Sequence, residues 1–203
     1  MAQYYLRAQR LSEREHVNFG MIAKAGWFLF NDQRMGDYAR AVKAIVADKR
    51  VHTLVIGSMW GGKIKEESFT RWPQRSVAAR DRKDLKVYVM LDYPWTPNVG
   101  GQQGIYDPLK HVNRITGDAV GMVQPFPAAD DWKRGNEEIQ RILGDAAEYI
   151  DPTPIVCPGQ KCNLQAWYRD DDHLQPKRIE ADGIWVDRIF EHAAAAESKE
   201  RSR

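Results

Sequence analysis

The sequence predicts an α/β domain in which helices cover both faces of a mainly parallel sheet, a three-layer α/β/α sandwich. Two short apolar runs, Thr53–Gly57 and residues 86–92, have the pattern of strands that are buried on both faces. Helical patterns alternate with these runs, as they do in β-α-β units. No repeat or linker divides the chain, so we expect one domain over residues 1–203 with a charged, disordered tail at 197–203.

The other elements are predicted from the spacing of apolar residues and from glycine and proline boundaries. In chain order they are a helix over 4–15 with Tyr5, Leu6 and Leu11 apolar, a strand over 17–25, a helix over 37–49, a helix within 61–82, a loop over 95–104, a helix over 131–148 and a last helix over 181–196. The first predicted strand follows a helix, whereas doubly wound domains normally begin with their central strand. We therefore expect that a first strand is missing from the front of this sequence.

Composition and charge exclude several classes of protein. The 30 basic and 28 acidic side chains give a net charge of +2 without a basic cluster, so no nucleic-acid partner is expected. Mean hydropathy is −0.60 and no apolar run approaches the thickness of a bilayer, so no membrane span is expected. The first residues lack the apolar core of a signal peptide, which predicts that the chain as written stays in the cytoplasm.

Two cysteines, Cys157 and Cys162, lie five positions apart in a loop that contains proline and glycine. They are close enough in sequence for a small disulfide ring, but in a reducing compartment they would stay thiols, so both states are open. Two cysteines are too few for a structural zinc site, and no histidine has metal-ligand spacing. We therefore expect neither a metal nor another cofactor.

The strongest chemical signal lies in residues 168–174. Asp170 stands three positions before His173, where a carboxylate can orient the imidazole through one ring nitrogen. The other nitrogen is then free to accept a proton from a hydroxyl nucleophile. A motif this short also recurs by chance as an acidic, solvated turn beside a histidine, and the motif alone leaves both interpretations open.

In its context this segment resembles the last block of the SGNH hydrolases. More closely, it resembles the SGNH domain fused to acyltransferase-family-three membrane proteins, which O-acetylate bacterial surface polysaccharides. That block reads Tyr-x-Asp-x-x-His-Leu, and the matching residues here are Tyr168, Asp170, His173 and Leu174. The family also has a close cysteine pair just upstream, a strand that ends near a tryptophan, and a later strand that ends in proline. The ordered combination covers nearly the whole chain and implies an SGNH or flavodoxin-like fold.

The family begins with a strand that ends in Gly-Asp-Ser, whose serine is the nucleophile, and this sequence contains no Gly-Asp-Ser. Tyr4 onward matches the helix that follows that motif, so the resemblance implies an SGNH domain without its first strand. Its catalytic residues would be Asp170 and His173. The substrate-cleft candidates lie at and just after the carboxyl end of the predicted strand over 53–57, where α/β sites form. They are Gly57, Ser58 and Trp60. Ser58 lacks the two glycines of a nucleophile elbow, so we expect it to line the cleft.

The resemblance implies acyl transfer by a serine nucleophile, with His173 as base, onto a sugar hydroxyl or water. The implied setting is O-acetylation of a cell-envelope polysaccharide, of the lipopolysaccharide or peptidoglycan type, at the periplasmic face, which favours a Cys157–Cys162 disulfide. The implied partners are an acyl donor, a glycan acceptor and a possible membrane acyltransferase domain in the full-length protein.

Without its nucleophile the isolated chain is expected to be inactive, so the sequence leaves open whether it is an enzyme. The alternative is a non-catalytic α/β module of the same fold that binds a glycan or a protein. A nucleotide-binding flavodoxin-like domain ranks last, because the sequence has no glycine-rich phosphate loop.

Overall fold

The computed structural model describes residues 2–20, 44–63, 84–94, 123–125, 131–168 and 173–201. Apart from the helical residues 44–47, the helices in these ranges are α1 (Tyr5–Glu15), α2 (Trp60–Lys63), α3 (Asp131–Leu143), α4 (Thr153–Val156), α5 (Leu164–Trp167), α6 (Pro176–Asp182) and α7 (Asp187–Arg201). The strands are β1 (Thr53–Gly57), β2 (Lys86–Met90), β3 (Val123–Pro125), β4 (Glu148–Ile150) and β5 (Lys161–Asn163). Short 3₁₀ turns cover Ala2–Tyr4, Gly144–Ala146, Pro158–Gln160 and Ile184–Val186.

The main sheet of the described residues has three parallel strands in the order β1-β2-β4. The pairing of β1 with β2 runs from Thr53↔Lys86 to Gly57↔Met90, and that of β2 with β4 ends at Met90↔Ile150. β3 and β5 form a separate antiparallel pair. Because parallel strands run in one direction, the carboxyl ends of β1, β2 and β4 lie at one edge, which we call the carboxyl edge. The predicted α/β class with a mainly parallel sheet is confirmed.

Alternate side chains of β2 point to opposite faces of the sheet. Tyr88 and Met90 belong to an apolar cluster with residues of α1, α6 and α7, whereas Val89 and Leu91 pack with residues of α3 and with Trp60. Tyr88 and Val89 are both 0% exposed. Helices therefore cover both faces, which explains why the strand is apolar at consecutive positions from Val87 to Met90 instead of at every second one.

The buried face of α1 differs from the expectation. Of its three predicted apolar residues only Leu11 is buried, whereas Tyr5 is 46% and Leu6 41% exposed. Arg7 is buried in their place, and its guanidinium donates to both carboxylate oxygens of Asp187 at 2.7 and 2.8 Å and to two main-chain carbonyls of α6. Because this bidentate pair and the carbonyls satisfy the donors, a charged residue can pack between α1, α6 and α7.

Several predicted boundaries are corrected. α3 ends at Leu143 and not at residue 148, because Gly144 has a φ of 48° that breaks the helix, and residues 148–150 then form β4. The predicted last helix is two helices, α6 and α7, with a 3₁₀ turn between them, and α7 continues through residues 197–201, which were predicted to be a disordered tail.

Other predictions are only partly covered by the described residues. Residues 17–20 of the predicted strand over 17–25 are not in a strand, and 21–25 lie outside the described ranges. Residues 44–47 are helical, as predicted. Three predictions lie outside the described residues: the part of the helix over 37–49 before residue 44, most of the helix within 61–82, and the loop over 95–104.

α2 and α3 cross at two glycines. A Cβ added to Gly135 would lie 2.2 Å from the main-chain nitrogen of Gly61, and one added to Gly61 would lie 2.4 Å from the main-chain oxygen of Asp131. Main-chain atoms of two packed helices cannot move aside as a flexible side chain can, so the crossing requires glycine at both positions. Since α2 follows β1 closely, this crossing also fixes the connection between β1 and α2 against α3.

Gly135→Ala is expected to lower the free energy of unfolding by about 1–3 kcal/mol, because the new methyl group overlaps the main chain of α2. Gly62→Ala is the matched control in α2, since its Cβ would meet only the Met59 side chain, with Sδ at 3.1 Å, which can move. Urea unfolding of both variants measures the difference. Equal losses would show that the close crossing is not what holds the two helices.

Candidate functional site

Residues 91–94, which follow β2 and which we call the β2 end segment, are all buried. Asp92 joins two other elements to this segment. Its Oδ2 accepts a hydrogen bond from the main-chain nitrogen of Gly61 at 2.9 Å, and its main-chain N–H and C=O pair with the side-chain amide of Asn136 at 2.8 and 2.9 Å. Helix α2, which follows β1, and the middle of α3 are therefore both attached to the carboxyl end of β2.

The segment that carries Asp170 and His173 is closed at its base. Tyr168 and Leu174 pair as an antiparallel bridge, and both are 0% exposed. Gln175 adds two local bonds, from its main-chain N–H to the oxygen of Trp167 at 2.7 Å and from its Nε2 to the oxygen of Tyr168 at 3.0 Å. His173 stands directly beside this base with an exposed side chain. Asp170 lies outside the described residues, so its contact with the imidazole stays a prediction.

Hydrogen bonds attach this base to the β2 end segment. Tyr168 Oη donates to the main-chain oxygen of Pro94 at 2.7 Å, and its ring packs edge-on against Tyr93 with the centroids 6.0 Å apart. The side chain of Gln3 donates from Nε2 to Tyr93 Oη at 3.0 Å and accepts from the main-chain N–H of Leu174 at 2.8 Å. His173 is thus placed at the carboxyl edge of the sheet, where the α/β fold forms its sites.

Two of the cleft candidates lie at the same edge. Gly57 is the last residue of β1 and Ser58 follows it, and both are partly exposed. Trp60 is 1% exposed, packs in the core with Ile56 and Ile139 among others, and donates from Nε1 to the oxygen of Met90 at 2.8 Å. Its ring therefore supports the edge from inside the core and presents no face on which a sugar could stack.

Cys157 and Cys162 form a disulfide, the state that the family resemblance favoured. The two residues are 2% and 0% exposed, and Cys157 Sγ lies 3.4 Å from Tyr168 Oη. The disulfide therefore packs against the tyrosine that begins the base of the Asp170–His173 segment. The cysteine pair and the histidine segment, recognised separately in the sequence, are parts of one structural unit.

Three tyrosines in and around the histidine segment are buried: Tyr4, Tyr93 and Tyr168. Burial raises the pKa of each hydroxyl above its ordinary value, and for Tyr93 the hydrogen bond with Gln3 opposes that rise in pKa. The hydroxyls therefore stay protonated at physiological pH and act as neutral hydrogen-bonding groups, as Tyr168 does toward Pro94. They shape the site and do not add charge to it.

Within the described ranges, no three His, Cys, Asp or Glu side chains lie close enough to hold a metal ion. In the same ranges, no helix combines the length and apolar character that a bilayer span requires. A surface depression lined by residues 141–146 precedes β4, so it lies at the opposite edge of the sheet from His173.

The fold is an α/β domain in which the candidate residues Gly57, Ser58 and His173 lie at the carboxyl edge of a parallel sheet, and a disulfide packs beside the histidine segment. The family model of the SGNH domain (fused to AT3 domains) matches residues 2–177, so the chain belongs to this family of acyltransferase- and esterase-type domains. The match confirms the resemblance drawn from the segment over 168–174. The chain has no significant match among curated proteins or among solved structures.

Sequence reasoning missed Gln3, Tyr93, Asp92 and Asn136. Asp92 could have been found, because it follows a buried parallel strand at the place where α/β sites form. Tyr93 lies next to Asp92, and the sequence indicates only that it follows the predicted strand over 86–92. Gln3 and Asn136 carry no such signal. Gln3 precedes the predicted helix over 4–15, and a polar residue in a helical pattern, such as Asn136, is normally interpreted as solvent-facing.

Cys157→Ala/Cys162→Ala is expected to lower the free energy of unfolding by about 2 kcal/mol, since the bridge closes only a short ring in the unfolded chain. Urea unfolding without reductant measures the loss. Reducing the wild-type disulfide should cause a similar loss, while the same reductant should leave the double variant unchanged. A wild type whose stability survives verified reduction would contradict the prediction.

Stability is expected to fall as pH rises above about 10, where tyrosines of the unfolded chain ionise. The folded pKa values of Tyr4, Tyr93 and Tyr168 are raised, so the folded state keeps protons that the unfolded state loses. Their contribution is complete below the unfolded pKa and is lost as pH rises toward the folded values. Urea midpoints at about pH 8 and pH 11 test this.

In this comparison Tyr93→Phe should lose less stability at high pH than the wild type does. Tyr5→Phe is the control, because the Tyr5 side chain is 46% exposed and should behave as the wild type does. The same pH dependence in both variants would place the alkaline transition elsewhere, for example in the lysines.

Proposed function

We propose that this domain takes part in O-acetylation of a bacterial cell-envelope polysaccharide, of the lipopolysaccharide or peptidoglycan type, at the periplasmic face. His173 is the general base and Asp170 the carboxylate that orients it. The nucleophile is a serine that this sequence does not supply in a Gly-Asp-Ser motif, and we assign it to the full-length protein, together with a membrane acyltransferase domain that delivers the acyl group. The isolated chain is then inactive.

The observation that carries this proposal is the position of His173. The imidazole is exposed at the carboxyl edge, and the residues that flank it at the base, Tyr168 and Leu174, are completely buried. A general base must reach within about 3 Å of the hydroxyl that it deprotonates, so an accessible side chain on an immobile main chain suits the role. The family match supports acyl chemistry at this site.

The reaction proceeds in two steps. In the first, the serine oxygen bonds to the acyl carbonyl carbon while His173 takes its proton; the tetrahedral intermediate then expels the donor's leaving group, which receives that proton. In the second, a sugar hydroxyl attacks the acyl-serine, again losing its proton to His173, and the serine departs and is reprotonated. Asp170 stabilises the imidazolium that forms in each step. Water in place of the sugar gives ester hydrolysis.

The disulfide supports the proposed location. Cys157 and Cys162 are bonded and buried, and disulfides persist in oxidising compartments such as the periplasm but are rare in the cytosol. This argument runs against the cytoplasmic placement that the first residues of the chain suggest by themselves. It agrees with a domain that meets its polysaccharide acceptor outside the inner membrane.

His173→Ala is expected to reduce hydrolysis of p-nitrophenyl acetate by the full-length protein at least about a thousandfold, because the serine loses its base. His52→Ala is the matched control: His52 directly precedes β1 and so lies at the opposite edge of the sheet. Asp170→Asn should also reduce the rate. If His173→Ala hydrolyses the ester as fast as the wild type, the assignment of His173 is wrong.

The same protein also tests the alternative of a non-catalytic module. Binding of the polysaccharide without ester hydrolysis or acetyl transfer, unaffected by His173→Ala, would favour a domain that binds glycan and performs no chemistry. Acetyl transfer that depends on His173 would exclude that alternative.

A further inference from the structure

We propose that Gln3 is a positioning residue for His173, because its side chain fastens the main chain next to His173 to the end of β2. The inference rests on the proposed role of His173 as general base. Gln3 belongs to the 3₁₀ turn Ala2–Tyr4, so it is about 170 positions away in sequence from the residue that it places.

The contact uses both polar ends of the glutamine amide. Oε1 accepts the main-chain N–H of Leu174 at 2.8 Å, and Nε2 donates to Tyr93 Oη at 3.0 Å. Leu174 immediately follows His173, and its own side chain is 0% exposed. One side chain therefore joins the N-terminal turn, the β2 end segment and the base of the histidine segment.

The other hydrogen bonds described for this base act at different points. The two hydrogen bonds of Gln175 go to Trp167 and Tyr168, so they close the base on itself and do not attach it to the sheet. The bond from Tyr168 to Pro94 and the disulfide at Cys157 act on Tyr168, where the segment begins. Gln3 acts on Leu174, where the segment ends, next to His173.

Gln3 itself stands on a rigid support. It directly precedes Tyr4, which is 4% exposed and packs edge-on against Trp185 with the centroids 6.5 Å apart. One turn further along α1, buried Arg7 pairs bidentately with Asp187 of α7. The side-chain amide of Gln3 is therefore supported by the packing of α1 and by its hydrogen bond to Tyr93. A residue that positions another group needs such support.

A loss of this contact should act on catalysis more than on binding. Misplacing a catalytic group by about 1 Å costs on the order of a hundredfold in rate. Because Gln3 bonds to the main chain of Leu174 and not to the imidazole, its removal should loosen the position of His173 without changing the chemical nature of the base. We therefore expect kcat to fall while KM stays nearly constant.

The test compares three single variants. Gln3→Met keeps the length of the side chain and removes both hydrogen bonds. Gln3→Glu keeps an oxygen for the Leu174 N–H and offers a second oxygen to the Tyr93 hydroxyl. Gln9→Met is the matched control, because Gln9 lies on α1, which follows the turn that holds Gln3, and its side chain donates an exposed hydrogen bond to Glu13 at 3.3 Å. On each variant, nitrogen-15 relaxation of the His173 amide is measured in this chain, and hydrolysis of p-nitrophenyl acetate is measured in the full-length protein, which supplies the nucleophile.

In Gln3→Met the order parameter of the His173 amide should fall from about 0.85 to below about 0.6, and kcat should fall about ten- to a hundredfold with KM within about twofold. Gln3→Glu should restore kcat to within about threefold of the wild type, and Gln9→Met should change neither measurement. A His173 amide that stays as ordered in Gln3→Met as in the wild type would overturn the proposal.

Tyr93→Phe keeps the proposal testable if Gln3→Met does not fold, since it removes the opposite end of the same bridge without changing the ring. A smaller loss of order at His173 is expected, and an unchanged amide would again overturn the positioning role. Failure of the proposed function is separate: if His173→Ala hydrolyses the ester normally while Gln3→Met still disorders His173, Gln3 places the segment but the segment is not catalytic.

Discussion

The carboxyl end of β2 holds the site together through hydrogen bonds made by buried polar groups. The side chain of Asp92 accepts a hydrogen bond from the main-chain N–H of Gly61, and its main chain pairs with the side-chain amide of Asn136. The hydroxyl of Tyr93 accepts a hydrogen bond from Gln3, and the main-chain oxygen of Pro94 accepts one from Tyr168. Each bond brings a segment that is far away in sequence to the same edge of the sheet. Because a buried group that loses its partner costs about 1–3 kcal/mol, these bonds specify one arrangement of the segments as well as stabilising it.

The same principle explains the unusual packing of the helices. At the crossing of α2 and α3, Gly61 and Gly135 bring two main chains into contact, which places the N–H of Gly61 within reach of Asp92. On the other face of the sheet, Arg7 takes an interior position of α1 because Asp187 neutralises it. The close approach of the α2 and α3 main chains and the pairing of Arg7 with Asp187 fix how these helices pack.

In the histidine segment an exposed side chain stands beside a buried base. His173 is exposed, while Tyr168 and Leu174 at its base are fully buried and the Cys157–Cys162 disulfide packs behind Tyr168. A base that must meet a substrate has to be accessible, and a base that must deprotonate one hydroxyl has to be placed accurately. The structure separates the two requirements, giving access to the side chain and rigidity to the main chain beside it.

Local pattern in the sequence was sufficient for the elements whose burial is continuous or periodic. β1 and β2 were recognised as strands and α1 as a helix, because a continuous apolar run and the spacing of apolar residues indicate the type of element. The spacing did not identify the buried face of α1, where Tyr5 and Leu6 are exposed. The segment over 168–174 was recognised because its residue types and spacing are those of the family that now matches residues 2–177.

What the sequence by itself determined is therefore the α/β class, the strands β1 and β2, the helix α1 and the family to which the chain belongs. Only the tertiary structure decided that Arg7 is buried, that Trp60 faces the core, that the cysteines are joined, and that Gln3 reaches Leu174. Each of these depends on a partner brought close by folding, and a pattern read along the chain contains no information about which distant group satisfies a buried donor or acceptor.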